Sequence, residues 1–196
     1  MGVDSSTQIQ LVWPARHYLS SYVDALQRGW SPDNMRQEAR KEQLARIAVD
    51  ADAFLASLVD REAGGSPIIL PDGSTVSRLP GYSRWIWDGD FCGTINFRWR
   101  PGTEALPPHC LGHIGYAVVP WKQMRGYATQ ALGRALPDAA VEGLRYVEIT
   151  TDPDNVPSQR VIERNGGVLF EEFVAPAALG GGRKLRYRVR IAETSP

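Results

Sequence analysis

The hydrophobic period of this chain changes once, at Pro80-Gly81, and that change constrains the fold more than any other feature. Before it, apolar residues recur at helical spacing. Tyr18, Leu19, Tyr22, Val23 and Leu26 mark one face of a helix over Pro14–Arg28, and Gly29 stands where a C′ glycine would close it. Ser31-Pro32-Asp33 then reads as a turn or a new helix start. A second stripe runs through Leu44, Ile47, Ala48, Ala51, Phe54, Leu55, Leu58 and Val59 to Gly64-Gly65. The charges on its other face, Arg40, Lys41, Arg46 and Asp50, read as a solvated surface.

Past Pro80-Gly81 the period falls to two. Arg84–Trp87, Asp88-Gly89-Asp90 and Phe91–Arg98 read as a hairpin with Asp-Gly in the turn. Pro101–Pro108 is a loop, His113–Val119 a strand, and Gly126–Gly143 a helix in which Pro137 predicts a kink or break, eased by Gly133 four residues earlier. Tyr146–Thr151 is a strand, Pro157–Arg164 a helix closed by Asn165-Gly166-Gly167, and Val168–Val174 with Leu185–Ile191 a final strand pair. Helices first, then mostly antiparallel strands with two crossover helices, describe a single α/β (α+β layered) domain over residues 1–196. Within it, 1–65 form N-terminal helices, 80–175 a core, and 176–196 a C-terminal loop and strand.

Composition narrows the partners. Lys and Arg total 22, as do Asp and Glu, so the net charge is zero, and nucleic acid is not expected without a basic excess to neutralise phosphates. The first ten residues, MGVDSSTQIQ, show no secretory pattern, and no apolar run approaches the ~18–20 residues of a membrane span. With Cys92 and Cys110 alone, a cytoplasmic protein without a disulfide framework is expected.

The segment Gly115–Thr129 carries the chemistry. A strand, a short loop and a helix start containing Gly126 and Ala128 turn successive backbone N–H groups toward one spot, with the helix dipole behind them. That is a site for an anion such as pyrophosphate. No Gly-x-Gly-x-x-Gly or Gly-Lys-Ser/Thr is present, which argues against a nucleotide fold. The run Gln123-Met124-Arg125-Gly126-Tyr127-Ala128 resembles the Gln/Arg-x-x-Gly-x-Gly/Ala signature of the GNAT acetyltransferases. A second block is similar too: the strand Val147–Thr151, Asp154-Asn155, Ser158, Val161 and Glu163-Arg164-Asn165-Gly166. Gly112-His-Ile-Gly-Tyr and Asp152-Pro-Asp-Asn-Val further resemble an uncharacterised bacterial branch.

The resemblance implies a mixed, mostly antiparallel sheet whose two central strands splay apart to admit acetyl-CoA, the acyl donor. Val118 and Val119 would then contact pantetheine, and amides from Gln123, Met124, Arg125, Gly126, Tyr127, Ala128 and Thr129 would hold the pyrophosphate. Asn155 and Ser158 would flank the thioester. Transfer would be direct, to a small-molecule amine or a peptide, with no membrane and no nucleic acid involved; a homodimer is left open. A non-catalytic acyl-CoA-binding sensor is the alternative.

For the base, His113 competes with Glu148 and Asp152, and His113 reads equally as a hydrogen-bonded structural histidine. The family's tyrosine acid falls at Ile162, so Ser158 one turn earlier is the expected donor. His109, Cys110 and His113 lack zinc spacing, and no metal is expected. Trp85, Trp87, Phe97 and Trp99 line either an acceptor pocket or the sheet core, and Cys92 reads as a packed apolar residue.

Overall fold

A computed structural model describes residues 8–33, 36–70 and 73–192, so the first seven residues of the polar N-terminal stretch lie outside the described residues. In chain order the elements are β1 (Gln10–Val12), α1 (Arg16–Gln27), α2 (Ala39–Val49), α3 (Ala51–Ala56), β2 (Val59–Asp60), β3 (Ile68–Ile69), β4 (Thr75–Val76), β5 (Gly81–Trp87), β6 (Phe91–Arg98), β7 (Ile114–Val118), α4 (Tyr127–Val141), β8 (Tyr146–Thr151), α5 (Val156–Arg164), β9 (Gly167–Val174) and β10 (Arg183–Arg190).

The strands form two principal sheets, and every strand pair is antiparallel. One runs β1-β5-β6-β7, with β2 also on β5; the other runs β8-β10-β9, while β3 and β4 make a small separate hairpin. Each face of the first sheet buries its own core. On one side Tyr22, Leu26 and Phe54 from the N-terminal helices meet Trp85, Phe91 and Val119. On the other, α4 lays Tyr127, Ala131, Ala135 and Ala139, spaced by four, against Tyr82, Ile86, Ile95 and Phe97. Three alanines in that stripe let the helix lie close to the strands. Phe97 and Trp99 are thus core on the α4 side, whereas Trp85 stacks on Tyr22 on the other, ring centroids 4.6 Å apart.

Two expectations need correction. The second helical stripe is broken at Asp50, whose extended backbone (φ −155°) ends α2 and whose carboxylate accepts the Asp52 and Ala53 amides that open α3. Its last residue, Val59, pairs with Tyr82 as a strand. Pro137 does not break α4, which runs unbroken from Tyr127 to Val141. Gly133 has a packing role as well: a Cβ there would stand 2.9 Å from Oδ1 of Asn165, the residue that ends α5 and donates to the Thr129 and Val161 carbonyls.

Gly93 sets how closely β6 approaches β7. Its φ is +152°, beside a register shift against β5, and a Cβ there would lie 2.1 Å from the Ala117 carbonyl oxygen. Gly93→Ala is therefore expected to cost at least ~2 kcal/mol in urea denaturation, since either the bulge or the β6–β7 pairing must yield.

Candidate active site

The two sheets meet at His113. Its backbone N–H donates to the Glu148 carbonyl (2.7 Å), and the Glu148 N–H donates to His113 Nδ1 (2.9 Å). The Thr150 hydroxyl adds a bond to the Leu111 carbonyl (2.5 Å). Beyond this junction no ladder joins β7 to β8 among the described residues, so the central strands part. Arg98 N–H donates to the His113 carbonyl and Val119 N–H to the Cys92 carbonyl, so odd-numbered residues of β7 turn their backbone groups to β6. Ile114, Tyr116 and Val118 turn theirs to the gap. Val119, whose N–H is given to Cys92, also accepts at its carbonyl from Lys122 N–H (3.0 Å).

The stretch after β7 forms a short 3₁₀ turn (Pro120–Lys122) and then a loop into α4. Gly126 takes the left-handed conformation (φ +76°) at the N-cap, and Met124 is left-handed too (φ +61°). Helical geometry leaves the first-turn amides without intrahelical acceptors, and no side chain caps this end. A Cβ on Gly126 would meet nothing within 4 Å. Gln123 folds back to donate to the Val118 carbonyl (3.2 Å), and Arg125 to the Trp121 carbonyl (3.4 Å). An uncapped helix start can take an anion.

A buried charge pair holds this loop in place. Lys122 Nζ lies 2.7 Å from Asp88 Oδ1 and 3.5 Å from Asp90 Oδ2, and the Tyr127 hydroxyl donates to Asp88 Oδ2 (2.7 Å). Burial alone would raise the Asp88 pKa, but the Lys122 and Tyr127 bonds outweigh it and hold the carboxyl down at about 2. The sequence presents Asp88 as a hairpin-turn residue, and nothing local ties position 88 to 122 or 127.

Across the gap, Asn155 Oδ1 caps α5 by accepting the Ser158 N–H (3.1 Å). The Ser158 hydroxyl lies 2.8 Å from the Tyr116 hydroxyl, a bond that runs from β7 on one side to α5 on the other. Burial pushes the Tyr116 phenol up to about 12. The sequence reading named Tyr116 only within the run Gly112-His-Ile-Gly-Tyr and gave it no role. Ile162 is fully buried, with no polar group to offer.

The candidate bases each have partners within the chain. His113 is fully buried; its Nδ1 already accepts, and burial, with the Arg98 charge, pushes its pKa down to about 4. Glu148 lies 2.9 Å from Arg188 and 3.5 Å from Arg186, and Asp152 pairs with Lys184. The Tyr116–Ser158 bond sets Ser158 and its capping Asn155 beside β7, whose end at Val118 leads into residues 123–129, while His113 and Glu148 are tied into the sheet junction. Among the described residues no group of three or more His, Cys, Asp or Glu could hold a metal. None of their helices is long and apolar enough to cross a membrane.

Comparison with known proteins finds a matching family model and solved structures of similar fold. A family model for the acetyltransferase (GNAT) domain matches residues 27–168. No protein of curated function matches by sequence. The chain is similar to the microcin C7 self immunity acetyltransferase MccE, solved with acetyl-CoA and AMP, at 14% identity over 94% of this chain and 93% of that one (TM-score 0.61). It is similar to Mycobacterium smegmatis RimJ, solved with CoA-disulfide, at 17% identity over 96% and 84% (TM-score 0.62). It is also similar to RimL, a ribosomal L7/L12 alpha-N-protein acetyltransferase solved with coenzyme A, at 17% over 96% and 97% (TM-score 0.58). At these identities the likeness is one of fold.

The His113 junction has a pH signature. The unfolded imidazole titrates near ~6.5, the folded one near about 4, so the unfolded state binds more protons between them. Stability is complete above the unfolded value and falls with pH through that window, by up to ~1.4 kcal/mol per unit. His113→Asn, which keeps an acceptor for the Glu148 amide but does not titrate, should flatten this part of the pH–stability curve measured by urea denaturation.

Proposed function

The chain belongs to the GNAT acetyltransferases, and on that premise we propose that it is an N-acetyltransferase moving acetyl directly from acetyl-CoA to an amine. The observation that carries this reading is the uncapped start of α4, with Gly126 left-handed and nothing within 4 Å of a Cβ there, standing beside strands that part. Acetyl-CoA supplies an activated acyl group and a thiolate leaving group. First-turn amides of α4 hold its pyrophosphate, and the gap-facing backbone of Val118 takes the pantetheine arm. Asn155 orders the α5 end that presents Ser158.

The chain's own work is mostly placement. The amine attacks the carbonyl carbon, the carbon–sulfur bond breaks, and the thiolate accepts a hydrogen bond from the Ser158–Tyr116 hydroxyl pair. A thiol pKa near ~8.5 makes this modest help sufficient. His113 acts as a positioning residue that fixes where the strands part, since its one lone pair is in use. The amine's proton then leaves to water, at a rate that follows the acceptor's own pKa.

The commitment of His113, Glu148 and Asp152 to other partners also favours a second reading, an acyl-CoA-binding protein without turnover. Thiol release from acetyl-CoA over an amine panel separates the two: an enzyme releases thiol with some acceptor, a sensor with none.

Acetyl-CoA should raise the melting temperature in a concentration-dependent way. Gly126→Glu should abolish that shift by straining the φ +76° turn and placing a carboxylate where the pyrophosphate binds. A folded Gly126→Glu protein with unchanged affinity would place the anion elsewhere.

Ser158→Ala and Tyr116→Phe should each lower turnover several-fold to ~100-fold with little change in acetyl-CoA affinity. If steady-state kinetics show only lost affinity in Ser158→Ala, the hydroxyl is a pantetheine contact.

A further inference from the structure

The face of the first sheet opposite α4 carries a groove to which nothing above gives a role. Two adjoining cavities, of about 380 and 880 Å³, share Arg46, Leu58, Arg78, Ser83 and Asn96. Ser83 pairs with Asn96 across β5 and β6, and Asn96 pairs next with Gly115 of β7. This row leads from the groove floor to the strand bordering the gap. Gly115 has no side chain, and the Arg98 guanidinium lies over it, 3.4 Å from where a Cβ would stand.

Arg98 lines the larger cavity with Arg46 and Arg78. Arg46 donates to the Ser57 hydroxyl and Arg78 to the Ser66 carbonyl, each at 2.6 Å. Among the described residues none of the three has an ion-pair partner. Of the acids nearby, Glu42 pairs with Arg36, Asp33 accepts the Arg36 amide, and Asp60, whose carboxylate accepts the Gly64 and Gly65 amides, keeps its charge near Arg78. The larger cavity thus sets three guanidinium groups against one carboxylate, Asp60, an excess of positive charge in a chain of zero net charge. The smaller cavity adds two buried donors without partners among the described residues, the Trp85 indole N–H and the Thr94 hydroxyl. Arg46, assigned to a solvated face by helical periodicity, is exposed but forms a groove wall.

Resting on the acetyltransferase reading, we propose that the acceptor is an amine carrying an anionic group, which these arginines hold while the amine reaches the gap. Guanidinium forks suit a carboxylate or a phosphate ester, and the same charges repel polyamines and aminoglycosides.

The test uses the full chain, acetyl-CoA and matched acceptors: acidic dipeptides against their side-chain amides, aminoalkyl phosphates against the parent amino alcohols, and a polyamine. The anionic member of at least one pair should show ~10-fold or higher kcat/KM, and which pair does so tells carboxylate from phosphate. Arg98→Gln and Arg78→Gln should pull that ratio toward one by raising KM, while the thermal shift with acetyl-CoA stays intact. Should either variant fail to fold, the parent protein's ratio decides alone. Acetyl-CoA binding with equal rates within every pair, with a polyamine preferred, or with no anionic amine turned over, overturns the proposal. Absence of acetyl-CoA binding overturns the acetyltransferase reading itself, and this inference with it.

Discussion

The hydrogen bonds between His113 and Glu148, with the Thr150–Leu111 bond beside them, join two sheets that no strand ladder links among the described residues, and they also limit how far the joining goes. A strand partner would have offered Glu148 N–H a carbonyl and gone on to the next residue. An imidazole nitrogen satisfies that amide as a side chain, so nothing propagates the ladder. Past that junction no ladder joins β7 to β8 among the described residues, and the link between them passes to side chains such as Tyr116 and Ser158. Every proposed contact with the donor, from the gap-facing backbone of β7 to the start of α5, depends on that break in the ladder.

This explains why the histidine is neutral and buried. A charged ring would have no lone pair for the Glu148 amide, and burial disfavours the charge in any case. The family signature makes His113 stand out at the start of a central strand, but its one available lone pair holds the strands. Glu148 points into the second sheet, where Arg186 and Arg188 flank it. The protein thus spends its ionisable groups near the gap on architecture, which is consistent with chemistry that leans on placement.

Much of this was legible in the sequence because it rests on local rules. The Asp-Gly hairpin, the Gly29 helix end (φ +97°) and Tyr146–Thr151 follow from turn chemistry and period two. So does the glycine at the α4 N-cap. What escaped needed contacts between distant positions. Asp50 reads as one more charge on a helical face until its carboxylate is seen capping α3. Gly133 reads as relief for Pro137, while its real neighbour, Asn165, lies on another helix. The Tyr116–Ser158 bond spans 42 residues, and neither residue announces the other. β1 and β2 are too short to show a period.

The Lys122–Asp88 pair also separates two responses to ionic strength. Its side chains are each 11% exposed, so dissolved ions screen it weakly, whereas Arg16–Asp52, at 65% and 69%, belongs to the class that salt erases. If the proposed donor site is right, rising salt would compete with the polyanionic donor for the α4 amides while leaving the loop that presents them in shape. The site would lose occupancy in brine without losing its form, and would refill on dilution with no refolding step.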